Sequence, residues 1–275
     1  PLVLMNSLFR IGLIVFCLGC SLLSQAQNNC SDYIQVCGNQ AISLNVSGGG
    51  TQEISNSSWC FSQENNSLWL KITIETGGTL GFNLIPGSTS ITEDYDFMVF
   101  GPNVSCGSKG SPIRCSSTNP QAASTSNNHT GMRGSSTDVS EGPGFLGDNW
   151  VKWLTVTAGQ SYFLLIDRPI GNSAFTLNWT GTAKLKKTNA GPDKSVCKGK
   201  TTSMSATETG TWVQHNSNPK TVSLSSITNR NAIVSGLTIA GIYNFTWSSV
   251  GCADTMKIVV HNTSSTSNSK SICKG

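Results

Sequence analysis

Three carboxylates stand close together in Glu93-Asp94-Tyr95-Asp96, and a fourth, Asp167, follows the apolar run Leu164-Leu165-Ile166. The first three lie at the entrance of a predicted strand. Asp167 ends another, from which it can approach across a sheet. Hard cations such as Ca²⁺ take several oxygen ligands from carboxylates and carbonyls. Glu93, Asp94, Asp96 and Asp167 are therefore the candidate metal site. The plainer role for such residues is to close turns by binding backbone amides.

No other arrangement points to catalysis. The three histidines, His129, His215 and His261, lack metal-binding helical spacing, and no His-Glu-x-x-His stretch occurs. There is no Gly-x-Ser-x-Gly elbow and no Walker-type phosphate loop. His129 lies in a polar stretch and reads as a surface residue. Trp59 and Trp150 flank turns, where an exposed indole would stack on a sugar ring; packing at the edge of the core is the plainer alternative. Trp69, Trp153, Trp179 and Trp247 fall on predicted strands and read as core.

The chain has ten cysteines. Cys17 and Cys20 lie in the apolar run near the N-terminus. The other eight have no zinc spacing: no Cys-x-x-Cys is present among them and no His adjoins a pair. Disulfides are the default use in an exported chain. The expected bridges are Cys106–Cys115, closing a short loop, and Cys197–Cys252, closing a second domain. Among Cys30, Cys37 and Cys60 one is left over, and Cys37–Cys60 is the favoured pair.

The elements that would position these residues are short strands. Residues 41–46 alternate apolar and polar. Residues 67–76 read as a strong strand ending in Gly77-Gly78, and residues 79–85 follow directly, predicting a hairpin over a Gly-Gly turn. Further strands are predicted at 96–100, 150–156, 161–166 and 174–179. Residues 116–149 form a long polar stretch, expected as a surface excursion or a binding loop. No segment shows an apolar period of 3.6 residues. The predicted class is all-β: a jelly-roll or similar β-sandwich over 27–183, a linker at 184–192, and a small immunoglobulin-like sandwich over 193–261. In that second domain Tyr243 precedes Cys252 by nine residues, so Cys252 is expected to open the last strand.

The ends of the chain add two expectations. Residues 5–10 are a short basic start, 11–23 an apolar run too short to span a bilayer, and 24–27 a small-residue cleavage site. Together they read as a signal peptide over 1–26, with 1–4 as upstream sequence. Leu18-Gly19-Cys20 offers a lipobox as the competing reading. Ser195-Val196-Cys197-Lys198-Gly199 recurs as Ser271-Ile272-Cys273-Lys274-Gly275, as expected of a second repeat beginning after a linker at 262–270. Cys273 would then pair within that repeat.

Charged residues make up only 12% of the chain, against roughly 25% in ordinary globular proteins. Without Arg10 there remain 17 basic and 14 acidic residues, too weak and dispersed a balance for nucleic acid. The one basic knot, residues 184–187, reads as a solvated connector.

Several ordered pieces resemble a known family. They are residues 30–38 from Cys30 through Cys37-Gly38, residues 60–69, Asp94-Tyr95-Asp96-Phe97, Ile113-Arg114-Cys115, Thr130-Gly131-Met132, Leu164-Leu165-Ile166-Asp167 and residues 175–183. Together they resemble the N-terminal module of large gliding-motility-associated surface proteins, which is CUB-like or prepeptidase-C-terminal-like. Ala190-Gly191-Pro192-Asp193 and residues 241–247 resemble the PKD-like or Ig-like repeats that follow it. Arg168 departs from the Asn usual at that place. The resemblance implies type IX secretion through a C-terminal sorting domain and a role in adhesion or surface structure. It also implies Ca²⁺ held by acidic residues that rigidify loops. The partner would be an extracellular surface, glycan or protein ligand. The alternatives are accessory modules of a secreted hydrolase and a carbohydrate-binding module.

Overall fold

The computed structural model describes residues 28–54, 56, 59–249 and 252–262. The expected signal at 1–26 with Cys20, and the pentapeptide copy with Cys273, lie outside the described residues. Among those described there is no α-helix, only a 3-10 turn at Cys30–Asp32.

Thirteen strands build the first unit: β1 (Ile34–Gln35), β2 (Ile42–Leu44), β3 (Ser67–Thr76), β4 (Gly78–Pro86), β5 (Asp94–Phe100), β6 (Arg114–Thr118), β7 (Thr130–Arg133), β8 (Ser140–Gly144), β9 (Trp150–Lys152), β10 (Leu154–Val156), β11 (Ser161–Ile170), β12 (Phe175–Gly181) and β13 (Lys184–Leu185). One sheet runs β1-β3-β11-β5-β6-β8, with β13 also on β3. The other runs β2-β12-β4-β7-β9, with β10 also on β4. Alternate residues of β3, β5 and β11 face the second sheet and make the inter-sheet core. Leu70, Phe97 and Leu164 pack there with Phe82, Leu84, Phe175 and Leu177. Each such side chain contributes roughly 1.5–3 kcal/mol by leaving water.

The other face of the first sheet is covered as well. Trp69, Met98, Phe100, Phe163 and Leu165 form a second cluster, roofed by Cys30, Ile54, Tyr33, Trp59 and Phe61 from the chain N-terminal to β3. Because both faces are covered, all seven residues of β5 are buried.

Two disulfides fasten this roof, Cys30–Cys106 and Cys60–Cys115. A third, Cys37–Cys252, joins the two units. These replace the expected Cys106–Cys115, Cys37–Cys60 and Cys197–Cys252 pairs. Cys115 lies on β6 under the roof, and Cys106 in the β5–β6 loop reaches Cys30. Each cysteine therefore meets a partner brought in by the fold rather than its neighbour in sequence. Cys197 is disulfide-bonded too, but not to Cys252.

Three further expectations change. First, β3 and β4 form no hairpin but belong to different sheets. A Cβ on Gly77 would lie 2.8 Å from the Val156 carbonyl, and one on Gly78 2.9 Å from the Ala183 amide. The two glycines serve a corner between sheets, which a Gly-Gly signal resembles locally. Second, the polar stretch 116–149 holds β7, paired with β4, and β8, paired with β6. Third, the linker at 184–192 is packed at both ends, with Leu185 in the first core and Ala190 in the second, while Lys184, Lys186 and Lys187 of the basic knot stay exposed.

The second unit is a smaller sandwich. Its strands are β14 (Lys194–Cys197), β15 (Thr202–Ser203), β16 (Thr211–Gln214), β17 (Ser223–Leu224), β18 (Ile233–Ser235), β19 (Gly241–Ser249) and β20 (Cys252–His261). They form the sheets β14-β20-β19-β16 and β15-β18-β17. Trp212 and Trp247 pack at 4.9 Å between them. Cys252 opens β20, and the Tyr243 hydroxyl donates to the Ile239 carbonyl at 3.0 Å. That is the upstream hydrogen bond of a tyrosine corner.

Candidate functional site

Alternation along β5 turns Tyr95 and Phe97 toward the inter-sheet core and Asp94 and Asp96 toward the roof. Asp167 on β11 stands directly opposite Asp96 in the antiparallel ladder, where side chains are about 4.5–5.5 Å apart at Cβ. A bulge follows Asp167, and Asp94 then faces Ile170. Three of the four expected residues thus meet beneath the roof. They adjoin a cavity of about 490 Å³ that Asp94, Asp96, Asn65, Trp59, Pro143 and Pro169 help to line.

Glu93 does not join them. Its Oε1 accepts from the Ser173 amide at 2.7 Å, and its side chain packs where a Cβ on Gly171 (φ +111°) would sit. It closes the β11–β12 turn, the plainer role available to all four.

The three aspartates differ in how they are satisfied. Asp167 Oδ1 accepts from the amides of Asn65 and Asn66 at 2.8 and 2.9 Å, and Oδ2 from Asn65 Nδ2 at 2.8 Å. Asp94 Oδ2 accepts from Asn119 Nδ2 at 2.9 Å. Asp94 Oδ1 and Asp96 Oδ1 are buried without any hydrogen-bond partner. Each of these two residues is only 5% exposed.

No counter-charge reaches them. Arg168, next to Asp167, points to the opposite face. There its guanidinium donates to Asn45 Oδ1, the Tyr95 hydroxyl and the carbonyls of Ser173 and Val46. Burial pushes the Asp94 carboxyl up to about 6; the Asn119 hydrogen bond opposes this and the charge of Asp167 adds to it. Burial likewise raises Asp96 well above the carboxylate range, with Asp94 and Asp167 adding repulsion. Burial also raises Asp167 against its hydrogen bonds.

Buried carboxylates without a counter-charge must hold protons or a cation. Their unpartnered oxygens suit a hard cation. Among the described residues, however, no three His, Cys, Asp or Glu side chains converge closely enough to chelate one ion. An ion here would complete its shell with water and carbonyl oxygens, as the six to eight ligands of Ca²⁺ allow.

Neither expected sugar platform is a fully exposed indole: both are half-buried. Trp59 packs edge-to-face on Phe100 at 5.5 Å, with its Nε1 buried. The Arg133 guanidinium covers Trp150 at 4.9 Å. Two of the three histidines have side-chain partners: His215 Nε2 lies 2.7 Å from Thr246 Oγ1, and His261 Nε2 lies 3.5 Å from Ser195 Oγ.

Two carboxylates escaped the sequence reading because they carry no motif. Glu64 is buried under the roof, accepting from the Glu53 amide and from Trp69 Nε1, and burial raises its pKa. Glu141 on β8 accepts from the amides of Asp148 and Trp150 at 2.9 and 3.0 Å. Burial, then a hydrogen bond shared with Asp138, pushes its carboxyl up to about 8. Glu64, in the polar run before β3, and Glu141, in a Ser/Gly/Pro stretch, give no sign of these environments in sequence.

Comparison with known proteins adds no relative: no family model matches the chain, and no curated protein matches its sequence. The three disulfides between described residues fit an oxidising, extracellular compartment. Among the described residues no helix is long and apolar enough to cross a membrane.

Proposed function

We propose that this chain is a non-catalytic part of an exported cell-surface protein, adhesive or surface-structural, whose first sandwich is stiffened by Ca²⁺ at Asp94 and Asp96. The observation that carries this reading is the pair of buried, unpartnered carboxylate oxygens beneath a disulfide-fastened roof. Ca²⁺ would supply charge neutralisation and a cross-link between β5 and the roof. Asp167 would add negative charge while its own oxygens hold Asn65 and Asn66 in place. The gliding-motility-associated, type IX-secreted family is the proposed setting, on the residue resemblance alone.

Thermal unfolding with millimolar CaCl₂ or with EGTA tests the cation. Ca²⁺ should raise the midpoint by several degrees in the native chain and not in the Asp94→Asn/Asp96→Asn variant. An identical midpoint in both conditions removes the cation from the proposal. The adhesive role is tested separately, by retention of beads coated with the chain on cells or extracellular matrix. Bare-bead retention would sink it.

A further inference from the structure

Where the two sandwiches meet, a cleft of about 640 Å³ opens, within the roughly 300–1,000 Å³ of small-molecule sites. It shares no lining residue with the acidic pocket. Its walls come from β1 and β3 on one side and from the chain before β16 and before β18 on the other. The Cys37–Cys252 disulfide links these two units.

Two cations face this cleft without an acidic partner. The Lys71 ammonium lies 5.1 Å from the Tyr33 ring centre and 5.6 Å from that of Phe163, and makes no ion pair. Arg230, across the cleft, is exposed and its guanidinium makes no ion pair or hydrogen bond among the described residues. The one acid in the lining, Glu208, is neutralised by Lys186 at 2.6 Å. Beside the cations stand the Thr209 hydroxyl and the Asn229 amide nitrogen, neither of which donates to another described residue.

We propose that this cleft binds an acidic oligosaccharide, with a carboxylate held between Lys71 and Arg230 and ring hydroxyls taken by Thr209 and Asn229. A sugar acid presents one charge and a rim of hydroxyls on a single rigid ring, which matches two cations flanked by hydroxyl and amide groups. An acidic peptide fits less well. Peptide grooves supply pockets for apolar side chains, and the aromatic ring of this cleft, Tyr33, is capped by Lys71.

The test is titration calorimetry of the disulfide-intact chain with trigalacturonic acid at low ionic strength. Maltotriose serves as the neutral control and pentaglutamate as the acidic peptide. Saturable binding of trigalacturonate is expected, weakened by salt as charge contacts are screened. Arg230→Gln and Lys71→Gln should each weaken it at least tenfold, while Lys257→Gln, an exposed cation outside the cleft, leaves it unchanged. Arg230 is exposed, so its variant tests the site without disturbing the fold. Absence of trigalacturonate binding, equal binding by maltotriose, or native affinity in Arg230→Gln would overturn the proposal. Pentaglutamate binding more tightly than trigalacturonate would overturn the sugar assignment. Failure of the calcium experiment would leave this result untouched, since the cleft and the acidic pocket share no lining residue.

Discussion

The two faces of the β1-β3-β11-β5-β6-β8 sheet bury the same strands by different means. Toward the second sheet, Leu70, Phe97 and Leu164 alternate into an apolar layer that a partner sheet closes without covalent help. Toward the roof, Trp69, Asp96, Phe163 and Asp167 lie under a segment poor in regular structure, fastened by Cys30–Cys106 and Cys60–Cys115. The difference separates two tasks that share one backbone. The inner face supplies stability through packing. The outer face accepts buried charge because disulfides hold its cover, and charge under a held cover can respond to an ion.

The comparison breaks if packing does not dominate inside. Phe97→Ala should cost about 3–5 kcal/mol, the range for a large aromatic deleted from a core, read from the denaturant midpoint. The paired change Cys60→Ser/Cys115→Ser should cost about 2–4 kcal/mol. It should speed hydrogen exchange in residues 59–65 while leaving β4 and β12 protected; uniform acceleration would show the two faces to be one cooperative unit.

A smaller effect concerns charge under the roof. The folded pKa of Asp94 is raised from 3.8 to about 6. Its contribution in the calcium-free chain is therefore full below pH 3.8 and is lost as pH rises through about 6. Melting midpoints from pH 4 to 7 should fall without Ca²⁺ and stay flatter with it, and Asp94→Asn should flatten the calcium-free profile. The smallest effect, because solvent screens a half-exposed side chain, lies at Glu141, raised from 4.5 to about 8. By the same sign its contribution disappears as pH rises through about 8. Glu141→Gln keeps an acceptor for the Asp148 and Trp150 amides and should remove that slope alone.

Much of the fold was legible because strand signals are local. The run 67–76, the turn at Ala158-Gly159 and the alternation in 241–247 each specify an element from neighbours in sequence. The hairpin at Gly77-Gly78 was misread because a corner and a hairpin ask the same freedom of glycine. What separates them is the distant Val156 and Ala183 backbone. Strands β7 and β8 were hidden because their pairing is with β4 and β6, not with each other. The aspartates were visible by type and Asp167 by position. Glu93 was excluded only by Ser173, eighty residues away. The disulfide pairings were illegible for the same reason, since all three join chain segments that only the finished fold brings together.

The Cys37–Cys252 bond closes a loop of chain 215 residues long. Tension applied between residues 28 and 262 would enter at the first cysteine, cross the sulfurs and leave along β20. Almost everything between would carry no load: both sheets of the first sandwich, its roof and the acidic pocket, and most of the second. Under that pull only residues 28–37 and 252–262 can be drawn out, and opening this bond would bring the first sandwich, with its other two disulfides, into the line of load. Between those two points the chain is a thin tether with two sandwiches hung beside it rather than strung along it.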